Sequence, residues 1–138
     1  MNKKGFTLVE VLAVIVILSL VIGIAGTSVV AVRNNSLKKL VETKYNNLEK
    51  SAILYGQENQ DKLNEECTID NEKYSYCRLI DVNTLIMKNY YETSETNGEG
   101  NKDLINNLTK KSMLEDEIMI YRKNNVIYAK VINKKSEM

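Results

Sequence analysis

One uninterrupted apolar stretch near the amino terminus constrains this chain more than any other feature. Phe6 to Val32 is 27 residues, twenty of them apolar or aromatic, and Glu10 is its one charge. From Val11 to Val32 no residue is charged. At about 1.5 Å per residue, a helix over those 22 positions spans about 33 Å, the thickness of a bilayer core. A buried core helix is the competing reading, but a chain of 138 residues leaves too little material to wrap it. A cleaved secretory signal is another, with small residues at Ala25, Gly26, Thr27 and Ser28; its apolar region should be much shorter. Lys3 and Lys4 precede the span while Arg33, Lys38 and Lys39 follow it, so flanking charge does not orient it.

Glu10 is the anomaly within the span. A carboxylate among apolar side chains facing lipid is costly, about 2.5–3.5 kcal/mol for an acid at mid-span and less near an end. Such a residue either reaches the headgroup layer or has a partner. The residues before it are distinctive: Lys3, Lys4, Gly5, Phe6, Thr7, Leu8, Val9, Glu10. This string resembles the prepilin peptidase site of type IV pilins and pseudopilins, and the match extends from residue 3 to about residue 32. The resemblance implies cleavage between Gly5 and Phe6, N-methylation of the new terminus at Phe6, and a cytoplasmic leader of residues 1–5. It also implies a register role for Glu10. A cleaved Phe6 carries an amine, and an acid four residues on can neutralise that amine in its own helix or in a neighbour's.

Ser19, Gly23, Thr27 and Ala31 recur every four residues. Such a stripe of small side chains lets apolar helices approach closely. Pilins often carry a proline in this region; this chain has none, and Gly23 and Gly26 are the substitute weak points. Beyond the span, Leu37, Val41, Tyr45, Leu48, Ala52 and Tyr55 continue at helical spacing, with Leu40 and Leu54 widening the stripe. The expectation is one helix over about residues 6–58, interrupted at most near Gly23–Gly26. Residues 6–32 form its transmembrane or filament-core part, and 33–58 an amphipathic part that packs on a head of residues 59–138.

The head reads as α+β. Cys67 and Cys77, the two cysteines, bracket nine residues that suit a hairpin or loop; in an exported head they suit a disulfide. Leu79–Tyr91 reads as a short helix capped by Asp81 or Asn83. Residues 92–103 contain no apolar side chain and read as a solvated loop. Its Glu95, Glu99 and Asp103 offer a calcium alternative, although the spacing matches no EF-hand. Residues 117–122 and 126–132 are β-rich and flank Asn124–Asn125, a tight antiparallel hairpin. Leu104–Met113 is ambiguous, and the tail around Lys134–Lys135 is expected to fray.

With no His in the chain, Ser-His-Asp and Cys-His catalysis and His-ligated metals are excluded, and no catalytic constellation or cofactor motif stands out. Net charge is +1, and Arg122, Lys123, Lys130, Lys134 and Lys135 are too few to argue for nucleic acid. The resemblance therefore implies a structural subunit, a single-pass membrane precursor that becomes a surface filament. Its partners would be copies of itself, prepilin peptidase, a membrane assembly platform and minor pilins. A pseudopilin of a secretion or DNA-uptake machine shares every motif, and a membrane-anchored extracellular binding module is the remaining alternative.

Overall fold

The computed structural model describes residues 5–138 of the chain. The leader lysines Lys3 and Lys4, and the side chain of Thr27, lie outside the described residues. Helix α1 runs unbroken over Leu8–Glu58, through both Gly23 and Gly26. Two compact units divide within it, Met1–Leu37 and Lys38–Met138.

In the first unit, α1 holds the one helix among the described residues long and apolar enough to cross a membrane. Its described side chains from Phe6 to Ser36 are all exposed. No β-branched run breaks the helix, because Val and Ile still satisfy every i→i−4 bond and lose only rotamer freedom.

In the second unit, a four-stranded antiparallel meander packs on the rest of α1. Strands β1 (Glu65–Ile69), β2 (Glu72–Asp81), β3 (Glu117–Lys123) and β4 (Val126–Asn133) lie side by side in sequence order. Two-residue turns close the outer hairpins. Asp70 and Asn71 adopt φ of 49° and 67°, and Asn124 and Asn125 adopt 51° and 62°, the left-handed region that Asn and Asp tolerate best. The predicted stripe on α1 is the packing face: Val41, Tyr45, Leu48, Ala52 and Tyr55 are buried against Ile80, Ile118, Ile120, Ile127 and Val131. Leu40 and Leu54 do not widen it. They remain 44% and 46% exposed, because they sit past the edge of the face that the sheet covers.

Two further expectations are corrected. The segment from Leu79 does not begin as helix. Leu79 and Ile80 pair with Met119 and Ile118, so the ladder claims them and α2 covers only Val82–Met87. Asp81 is its N-cap, accepting from the Thr84 N–H at 2.8 Å, and Asn89 at φ 61° stops it. The tail does not fray at Lys134–Lys135, because Ser136 is 1% exposed and anchored in the core. Leu104–Met113, ambiguous in sequence, is a turn closed by an Ile105–Ser112 bridge, with Leu104 and Met113 buried.

Candidate functional site

Gly5, Phe6 and Thr7 precede α1 in non-helical backbone. Phe6 is 88% exposed, and the space where a Gly5 Cβ would stand is open. The helix starts abruptly through a reciprocal pair of bonds. The Thr7 N–H donates to Glu10 Oε2 at 2.8 Å, and the Glu10 N–H donates to Thr7 Oγ1 at 3.2 Å. This is a capping box, two orphan donors satisfied by each other's side chains. The first helical bond, Val11 N–H to Thr7 C=O at 3.2 Å, follows immediately. The Gly5–Phe6 peptide therefore lies outside regular structure, one residue ahead of the cap.

Glu10 is thus already engaged within its own chain. The pattern Thr-x-x-Glu was legible in the sequence as a helix start, alongside the reading of Glu10 as a partner for an amine. Among the described residues no cation pairs with Glu10. In the small-residue stripe, Ser19 Oγ donates to the Ile15 carbonyl at 2.7 Å, which satisfies the hydroxyl within the helix. Gly23 has open space at its Cβ position, and Ala31 is exposed.

Cys67 and Cys77 are joined in a disulfide, with Cα atoms 6.0 Å apart. It ties β1, whose only buried residue is Ile69, to β2, where Cys77 is fully buried. The three acids of the calcium alternative do not converge. Glu95 pairs with Lys44 at 2.6 Å and accepts from the Ile105 N–H at 2.5 Å. Asp103 accepts from the Leu104 N–H and from Ser112 Oγ. Glu99 stands in a turn organised by Asn97. Among the described residues no group of three or more His, Cys, Asp or Glu is placed to hold a metal. The loop 92–103 is therefore not simply solvated: two of its acids fasten it to the rest of the head.

A buried polar cluster escaped the sequence reading. Asp116, fully buried, accepts from Tyr45 Oη at 2.8 Å, from the Ser136 N–H at 2.8 Å and from Ser136 Oγ at 2.7 Å. Asn106 Nδ2 donates to Ser136 Oγ at 3.4 Å, and Thr109 Oγ1 to the Ser136 carbonyl at 2.5 Å. Burial lifts the Tyr45 hydroxyl well above the ordinary tyrosine range. Tyr45 was legible as part of the helical stripe, but nothing in the sequence marked Asp116, Ser136, Asn106 or Thr109 as polar partners for it, since each is a common surface type.

Comparison with curated proteins and with solved structures finds no match. Residues 1–26 match the family model described as the prokaryotic N-terminal methylation motif. That motif marks a precursor of pilin or pseudopilin type, for which processing by prepilin peptidase and assembly into pilus-like filaments are implied. With Gly5 and Phe6 exposed before an apolar helix that Glu10 caps, the amino-terminal segment of this chain carries the type IV pilin and pseudopilin signature.

Proposed function

We propose that the chain is a structural subunit of a type IV pilus-like filament. The observation that carries the reading is the methylation motif over residues 1–26, with Gly5–Phe6 held outside the helix. Residues 1–5 are the leader, removed between Gly5 and Phe6, and Phe6 is then N-methylated. Residues 6–32 hold the precursor in the membrane and afterwards pack in the filament core. Residues 33–58 carry the helix into the head of residues 59–138, which faces outward on the surface fibre.

Glu10 has two duties in this reading. Its carboxylate caps α1 through Thr7, and it offers the remaining acceptor capacity to a Phe6 amine, in its own subunit or a neighbour's. An amine held by a neighbour's acid sets the axial register between subunits. Ser19, Gly23, Thr27 and Ala31 give the face along which helices come close.

Mass spectrometry of the mature amino terminus tests processing. An N-methylated Phe6 is expected; an intact Met1, or a terminus near Ser28, refutes it. For assembly, Glu10→Ala is expected to insert in the membrane normally and to lower the yield of sheared filaments. Unchanged yield refutes the register role.

A further inference from the structure

At one end of the sheet the backbone ladder between the two hairpins stops, and only side chains bridge them. Strands β2 and β3 pair from Asp81↔Glu117 to Cys77↔Tyr121 and then exchange no registered pair, although β2 begins at Glu72 and β3 reaches Lys123. The cause is local. The register of β1 against β2 shifts between Glu65↔Cys77 and Cys67↔Tyr74, which leaves Ser75 and Tyr76 as a bulge in β2. A bulge bends its strand and often re-aims side chains at a functional position. Beside it lies a cleft of about 530 Å³ between β2 and the β3–β4 turn, lined by Lys73, Ser75, Tyr76, Arg122, Asn124 and Asn125 among others.

The chemistry of the lining is one-sided. Among the described residues no carboxylate lines the cleft, and neither Lys73 nor Arg122 forms an ion pair. The nearby lysines differ: Lys123 is held by Glu72 at 3.1 Å and Lys130 by Asp70 at 2.8 Å. Arg122 lies over the Tyr76 ring, 4.0 Å from its centroid. This is a cation–π contact, and no carboxylate among the described residues takes the guanidinium's N–H donors. Such a fork takes a carboxylate in a bidentate pair. Tyr76 is still half exposed, and the amides of Asn124 and Asn125 with the Ser75 hydroxyl supply donors and acceptors for hydroxyl groups.

The geometry points to a binding site for an acidic saccharide. Arg122 and Lys73 take the carboxylate, Tyr76 supports the sugar ring, and the Asn and Ser side chains hold its hydroxyls. A cleft of this size accommodates a short saccharide. Nucleic acid is the weaker occupant, because its affinity grows with the number of phosphates neutralised and only two unpaired cations line the cleft. The site does not depend on processing or assembly of the chain.

The test is an NMR titration of the isotope-labelled full chain in detergent micelles. The probes are trigalacturonic acid, a neutral galactose trimer and an oligothymidylate. Trigalacturonic acid is expected to shift the resonances of Lys73, Tyr76, Arg122 and Asn125, and Arg122→Gln to weaken it about tenfold or more. Lys73→Gln, at an exposed position, gives the same reading should Arg122→Gln not fold. The proposal is overturned by equal binding of the neutral trimer, by undiminished binding in the folded variants, by shifts with oligothymidylate alone, or by no shift with any probe.

Discussion

Gly56→Ala is expected to destabilise the head, against the trend that alanine strengthens helices. Gly56 lies in the last turn of α1, against the sheet. A Cβ there would stand 2.6 Å from Ile120 Cγ2 and 2.8 Å from Ile127 Cγ2. Both methyls belong to buried, β-branched side chains in adjacent strands; Ile120 is fully buried and Ile127 5% exposed. Neither can swing aside without leaving its rotamer, so α1 or the sheet must move. Overpacking of this kind costs about 1–3 kcal/mol, whereas the helix gains about 1 kcal/mol from alanine. The net is a loss of about 1 kcal/mol, with about 2 kcal/mol as its upper end. For a head of this size each kcal/mol lowers the melting midpoint by roughly 4–8 °C. Thermal unfolding of the full chain in micelles, followed in the near-ultraviolet, measures it. The reasoning is sharpened by a cycle with Ile120→Ala, which removes the nearer methyl. In that background Gly56→Ala should cost less, because only the Ile127 methyl still stands in the way. A stabilising Gly56→Ala in the parent chain, or the same cost in both backgrounds, refutes the close-approach account.

Other expectations follow from named contacts. Replacing Cys67 and Cys77 with serine should cost about 3 kcal/mol by loop-closure entropy, and hydrogen exchange should show β1 opening first, since Ile69 is its one buried residue. Glu95→Ala should accelerate exchange of the Ile105 amide, which donates to Glu95 Oε2, while leaving the β3–β4 amides protected. Tyr45→Phe should cost about 1–3 kcal/mol at neutral pH, because Asp116 loses a donor. The same variant should flatten the alkaline stability profile. Folded Tyr45 keeps its proton where the unfolded chain, at its ordinary value of 10.0, releases it. Its contribution is therefore complete below that value and lost as pH climbs above it. Parallel melts from about pH 8 to about pH 11 isolate this group, since Tyr74, Tyr90 and Tyr91 are common to both chains.

Periodicity carried most of what the sequence could say. The stripe from Val41 to Tyr55 was legible because a helix that packs on a sheet repeats its apolar positions at a fixed spacing. The β3–β4 hairpin was legible because Asn124–Asn125 solves a backbone problem that few residue pairs can. The Leu79–Asp81 misreading has the opposite cause: a short run of apolar residues fits strand and helix alike, and only the partners Met119 and Ile118, far along the chain, decide. The capping role of Glu10 was written in Thr7-x-x-Glu10, yet the cost of an acid in an apolar span drew attention elsewhere. The cluster around Asp116 and the cleft at Arg122 had no local signature, because both are made by register and long-range closure.

The Tyr45–Ser136 contact joins residues 91 positions apart, and Ser136 then organises Asp116, Asn106 and Thr109 around it. The Tyr45–Asp116 bond already closes most of that loop, so adding Ser136 to it costs little further chain entropy. The buried cluster is therefore the property of the whole head: no shorter fragment that lacks residue 136 can complete it.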